Sequence, residues 1–194
     1  ERMTIPKSIQ LTAGRIAQEY NQRKKRKGAY WEDRYHATAI ETGRHLLRCL
    51  VYIDLNMVRA GAISHPTEWE FGGYNEIQSP RRKSILINYE KLAELSGCDS
   101  YASFQSLHKS LVKDALEKDK IKRESRWSNS IAVGEKQFVS KIKKRLGFKA
   151  LGRKTQSLDE GFQLREKVMP YIADFDAENS DIAPKNGYKW NTFH

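Results

Sequence analysis

The chain has 194 residues, 39% of them hydrophobic and 30% charged, with 35 Lys and Arg against 24 Asp and Glu for a net charge of +11. That length supports one or two small domains with a real core, while the longest apolar stretch, around Leu46 to Ile53, is interrupted by Arg48 and is too short to span a bilayer. The start carries no signal-peptide pattern, and the two cysteines, Cys49 and Cys98, form neither a metal-ligand pair nor a disulfide framework, which fits a reducing cytoplasm.

Charge is spread unevenly. Residues 1–59 carry 12 basic and 6 acidic groups, residues 60–108 carry 4 and 6, residues 109–154 carry 15 and 5, and residues 155–194 carry 4 and 7. Two basic regions around a mildly acidic middle suit a polyanion with two contact zones, although solvated lysines of an ordinary soluble protein give the same totals. A membrane partner is disfavoured, because no basic helix pairs with a Trp- or Phe-rich apolar face.

In chain order, Ile9, Ala13, Ile16, Ala17 and Tyr20 recur at helical spacing and predict a helix from Ser8 to Lys25, running into the basic run Arg23, Lys24, Lys25, Arg26, Lys27 and ending at Gly28. Ala29 to Ile40 is aromatic-rich and ends in alternation, so a strand is expected, with Trp31 in the core. A second helix runs from Glu41 or Thr42 to Ala60, closed by Gly61, and Ser64 to Ile77 reads as a loop. The polar stretch from Gln78 to Lys83 marks a boundary. Beyond it, helices are expected at Tyr89–Ser96, Ser100–Lys118 and Gly134–Leu146, with Trp127 anchoring them. The last is basic, with a helix-turn-helix flavour that many amphipathic helices share. From Lys149 onward the chain is polar, broken by Gly and Pro, and expected to be poorly ordered or draped over the rest.

The segment Arg44 to Arg59 carries the chemistry. Wound at about 100° per residue, it puts Leu46, Leu47, Leu50, Val51, Ile53, Met57 and Val58 on one side, with Asp54 intruding. Arg44, His45, Arg48, Cys49, Tyr52, Asn56 and Arg59 take the other, with Leu55 the exception. Arg48, Tyr52 and Asn56 fall four residues apart, along one stripe. A phenol is largely protonated at neutral pH, so attack on a phosphodiester needs a base or nearby positive charge, and arginines supply that charge and hold the phosphate in line. A divalent metal would polarise the phosphate, with the Asn56 carbonyl oxygen as one hard ligand. The plainer reading is a boundary tyrosine stacked by guanidinium groups. The run Arg23 to Lys27 suits phosphate contact or a solvated helix end. Trp31, Tyr30 and Tyr35 could stack on unpaired bases.

The string YIDLNMVRAG, Tyr52 to Gly61, followed by HPTEWEFGGY, His65 to Tyr74, resembles the signature of the REP-associated tyrosine transposases, single-tyrosine enzymes of mobile elements: Tyr-Ile-x-x-Asn-Pro-Val-Arg-Ala-Gly, then Pro-x-x-Trp-x-x-Ser-Ser-Tyr. Upstream, NQRKKRKGAYWEDRYHATAI is similar to that family's Asn-x-Arg…Gly-x-x-Trp-x-x-Arg-Tyr segment, and RESRWSNSIAVGEKQFVSKIKKRLG resembles the accessory region of its longer members. The resemblance implies that Tyr52 is the nucleophile of a covalent link to a DNA 5′ end and that Asn56 is the third ligand of Mg²⁺ or Mn²⁺. The family's other two ligands are a His-hydrophobic-His pair. No two of His36, His45, His65, His108 and His194 have that spacing, so the pair is expected upstream of Glu1, and Met57 replaces the usual proline.

The expectations are these. The fold is α+β, a ferredoxin-like sheet with helices, of which this chain holds mostly helix and one or two strands. Residues 1–78 form the C-terminal half of a catalytic domain, 79–154 a helical basic accessory region, and 155–194 a poorly ordered tail. The function is nicking and rejoining of single-stranded or hairpin DNA, blocked in this chain by the missing histidine pair. Tyr52 is the nucleophile, Asn56 a metal ligand, and Arg44, Arg48, Arg59 and Arg23 to Lys27 are DNA contacts. The rival is a non-catalytic protein that binds repeat DNA.

Overall fold

The computed structural model describes residues 4–31, 35–82, 87–118 and 121–165. Helix α1 spans Thr4–Arg23, with Pro6 in the first turn, where a missing N–H is tolerated. None of its residues is buried. The segment after it holds it in place: Trp31 Nε1 donates to Ala13 O at 3.0 Å, Asn21 Nδ2 donates to Gly28 O at 3.0 Å, and the Tyr20 and Tyr30 rings pack 4.7 Å apart. Trp31 is 49% exposed, which corrects its expected place in the core. The strand expected over Ala29 to Ile40 shrinks to β1, Ala39–Ile40. Tyr30 and Trp31 stack on each other and on α1 rather than joining a sheet, and residues 32–34 lie outside the described residues.

Helices α2, Arg44–Asp54, and α3, Asn56–Arg59, replace the single helix expected to Ala60. The step at Leu55 is slight: Leu55 N–H donates to Val51 O at 3.0 Å and Arg59 N–H to Leu55 O at 2.9 Å, so the helical register carries through. The stretch expected as a loop contains a short 3-10 helix, Pro66–Glu68, and helix α4, Gly73–Gln78. A capping box between His65 and Glu68 starts the first, and burial of Tyr74 and Ile77, three residues apart, holds the second. Helices α5, Tyr89–Leu95, and α6, Tyr101–Glu117, match the expected spans within a residue. Asn88 caps α5 through the Lys91 N–H, and Ser100 caps α6 through the Ser103 N–H.

The short helix α7, Arg126–Asn129, leads into β2, Ser130–Gly134. Helix α8, Lys136–Leu146, and a 3-10 turn, Gly147–Ala150, then precede a hairpin of β3, Lys154–Leu158, and β4, Gly161–Arg165. The sheet order is β1-β2-β4-β3: β1 runs parallel to β2, with Ala39 opposite Ala132, and the other pairs are antiparallel. The fold is α+β and mostly helical. Among the described residues four strands stand where one or two were expected. The ferredoxin-like connectivity is not repeated by the described strands alone, and rests on the resemblance.

Two features hid the extra strands. Strand β2 is almost wholly buried, so it lacks the apolar–polar alternation that marks a half-exposed strand. Strand β3 is an edge strand with four of five residues exposed, and its composition is that of a loop. The tail expected to be poorly ordered is therefore a paired hairpin as far as Arg165, and residues 166–194 lie outside the described residues.

Helix α2 lies between two cores. On one side Leu47 packs with Ile77, Ala93 and Phe104, and Leu55 with Tyr74 and Val112. On the other, Cys49 packs with Trp127 and Val133 of the sheet layer. Beyond the sheet, Val139 of α8 packs on Ala132 and Leu164. The Leu, Ile, Val and Phe side chains among these contribute on the order of 1.5–3 kcal/mol each when fully buried. Both the helical core and the sheet cross the boundary placed at residue 78, so the segments on its two sides are packed together.

Candidate active site

Helix α2 opens at Gly43, whose φ of 75° lets the chain turn sharply and whose N–H donates to Leu95 O at 2.7 Å. That anchor fixes the rotation of α2. It turns His45 and Cys49, expected on a solvated polar face, into the interior, with His45 only 3% exposed, and it leaves Ile53 57% exposed on the face expected to be buried. The deviation has a physical reason: a helix between two layers has little free polar face, and the sheet layer covers the side that carries Cys49.

Tyr52 is half-buried at the edge of that covered side. Its ring centre is 6.3 Å from that of Trp127, and the Arg59 guanidinium lies over the ring at 4.0 Å. Among the described residues its hydroxyl has no hydrogen-bond partner. Arg59 also donates to Tyr52 O at 3.3 Å and to Asn56 Oδ1 at 3.1 Å. Tyr52, Asn56 and Arg59 are thus one linked group, and the guanidinium stacking expected of a boundary tyrosine is present.

Tyr52 lines a partly open cavity of about 500 Å³. Its lining includes Arg44, Arg48 and Arg59, Leu107 and Leu111 of α6, and Glu124 and Glu160. The arginines are not free. Arg44 pairs with Glu135 at 3.2 Å, and Arg48 touches Glu160 and lies 4.0 Å from Glu124, which itself holds Arg126 at 2.5 Å. Burial lowers the Arg48 pKa from the usual arginine value, the neighbouring charge of Arg126 adds to this, and Glu124 opposes it. Arg48 nonetheless stays protonated at any ordinary pH.

The structure therefore brings together Tyr52, Asn56, Arg44, Arg48 and Arg59. It leaves Arg23 to Lys27 out of the cavity lining. In that run, Arg23 pairs with Glu19 at 3.5 Å and Arg26 donates to Ala29 O at 3.1 Å. Among the described residues no three His, Cys, Asp or Glu side chains converge, and the Asn56 oxygen is engaged by a cation. By themselves the described residues do not form the divalent-metal site implied by the resemblance.

No family model, curated protein or solved structure matches this chain.

Sequence reasoning missed Trp127, Glu124 and Glu160 as neighbours of Tyr52, since all lie more than 70 residues away along the chain. It also missed a buried pair on the far side of α2. His108 Nε2 lies 2.9 Å from Asp54 Oδ2, at an angle poor for a hydrogen bond, with the two side chains 0% and 4% exposed. The Gln78 amide nitrogen donates to Gln105 O and to His108 Nδ1, both at 3.2 Å. An amide NH₂ can only donate, so Nδ1 accepts and the ring proton sits on Nε2, facing the carboxylate. The signal was present: Asp54 intruded on an apolar face, and a buried carboxylate needs a partner.

Proposed function

We propose that the protein is a DNA strand-nicking and -joining enzyme of the single-tyrosine transposase kind, acting on single-stranded or hairpin DNA. The observation that carries this reading is Tyr52, its hydroxyl unpartnered among the described residues, lining an arginine-walled cavity one helical turn from Asn56. In the reaction the Tyr52 oxygen bonds to phosphorus, the bond from phosphorus to the 3′ oxygen breaks, the phenolic proton passes to solvent, and the freed 3′ oxygen takes one up. Rejoining is the reverse. Arg48 and Arg44 hold the phosphate oxygens once their carboxylate partners give way, and Arg59 keeps the Tyr52 ring in place. The work would be cytoplasmic, and no described helix is long and apolar enough to cross a membrane.

The test is a denaturing gel of the protein with labelled hairpin DNA and Mn²⁺, run on this chain and on the chain with the gene's upstream sequence included. A DNA adduct that resists denaturation and disappears in Tyr52→Phe supports the reading. Binding without an adduct from either form overturns it.

A second reading, a non-catalytic DNA-binding protein, is favoured by the pairing of Arg44 and Arg48 with carboxylates. On that reading Tyr52 serves packing, and Tyr52→Phe leaves DNA affinity unchanged.

A further inference from the structure

While the arginines around Tyr52 are engaged, a second set of cations is not. Between Lys136 and Leu158 the sequence carries eight Lys or Arg residues and no Asp or Glu. Seven of the eight are exposed, Arg153 being half-buried, and among the described residues none of those seven has a carboxylate within ion-pair distance. The cause of their exposure is the seating of α8. Val139, Ile142 and Leu146 pack towards Ala132 and Leu164, which turns the lysines outward. At the end of α8, Gly147, with φ of 53°, swings the chain into the 3-10 turn and leaves Phe148 91% exposed. A depression of about 620 Å³ lies beside it, lined by Lys143, Lys144, Leu151, Arg153 and Thr155 among others.

Clustered cations repel one another and an exposed phenyl ring is poorly hydrated, so a partner that is both anionic and able to stack would stabilise this arrangement. We infer that α8, the Gly147–Ala150 turn and the edge of β3 form a binding platform for single-stranded nucleic acid, with Lys143, Lys144, Lys149 and Lys154 on phosphates and Phe148 stacked on a base. A single strand offers free base faces, which a duplex interior does not. A lipid surface fits less well, because the apolar face of α8 is already used against the sheet. The platform stands on its own residues and does not require chemistry at Tyr52. It also deepens the reading above. Strand β3 starts at Lys154 and leads to the turn that places Glu160 against Arg48, a path of roughly 15–20 Å at the usual rise per strand residue. A strand held on the platform is thereby led to the Tyr52 cavity.

Fluorescence anisotropy of the protein with a labelled oligothymidylate of roughly 15 nucleotides, a length suited to single-strand binding sites, tests this across a salt series. Replacing Lys143, Lys144, Lys149 and Lys154 by Gln is expected to weaken binding about tenfold or more and to lower the log–log salt slope by about 3, at 0.7 per lost contact. Phe148→Ala is expected to weaken binding about tenfold with the slope unchanged, as loss of stacking should. Circular dichroism checks that the variants fold. Wild-type affinity in both variants overturns the platform, as does wild-type binding to phosphatidylserine vesicles but not to the oligonucleotide. Tyr52→Phe separates the two readings: binding retained without any wild-type adduct leaves the platform and removes the nicking reaction, whereas an adduct from a lysine variant of unchanged affinity does the reverse.

Discussion

Asp54 and His108 stand in an apolar setting where either alone would be costly. A buried carboxylate or imidazole left unpaired is a several-kcal/mol liability, and here the two lie 2.9 Å apart, close enough for charge to couple them, with Gln78 fixing the ring orientation. Asp54→Ala is expected to lower stability by about 3 kcal/mol in urea unfolding. The double variant Asp54→Leu, His108→Leu should lose less than the sum of the singles, since no orphan remains; additive losses would show that the pair does not interact. Cys49 is the second residue with a clear environment. Burial, and then the charge of Glu124, pushes its thiol up to about 11. The thiolate is a minor species there at pH 8. Alkylation of the native protein is therefore expected to label the half-buried Cys98 and to reach Cys49 only after unfolding. Two thiols labelled at once in the native state would contradict the packing of α2 on the sheet.

At the scale of elements, the β3–β4 hairpin is a strut. Gly161, with φ of 99°, lies so close to α2 that an added Cβ would fall 2.7 Å from His45 Cε1 and 3.0 Å from Gly134 O. That close approach carries Glu160 onto Arg48. The pair is only partly shielded, with the two side chains 29% and 49% exposed, so it adds less than about 1 kcal/mol to stability. Its charge matters more than its energy, because a carboxylate occupies the guanidinium that a phosphate would need. Glu160→Gln is expected to leave thermal stability within a few degrees of wild type and to raise affinity for a labelled oligonucleotide severalfold. A fall in affinity would mean that Glu160 holds Arg48 in position rather than competing for it.

At the scale of the whole molecule, the sheet joins segments that the sequence keeps far apart. Helices α5, α6 and α8 were legible from periodicity because each buries one stripe of side chains, a local property. The rotation of α2 was not, since it depends on Gly43 meeting Leu95 and on Cys49 meeting Trp127 and Val133. Of the candidate site, the sequence revealed the residues of α2 and α3 that share a stripe, but not Glu124, Glu135 and Glu160, which pair with Arg44 and Arg48 and arrive from elsewhere in the fold. The polar tail carries a checkable consequence. Deleting residues 154–194 removes β4, the antiparallel neighbour of β2, together with β3 beyond it, and uncovers Ala132 and Val139, each 0% exposed. Loss of cooperative thermal unfolding is expected, whereas a dispensable tail would leave the transition intact.

The parallel pairing of β1 with β2 sets a timetable for the newborn chain. Ala39 and Ile40 leave the ribosome well before Ala132 and Val133, and the sheet closes only when β4 follows. At roughly 5–20 residues per second, the interval from Ile40 to Arg165 lasts about 6 to 25 s. Until it ends, Tyr52 is on a helix whose sheet-side cover is incomplete, since Glu124 and Trp127 are made only late in the interval and Glu160 near its close. Any capacity of Tyr52 to attack DNA in the proposed way must therefore wait until translation has passed the hairpin.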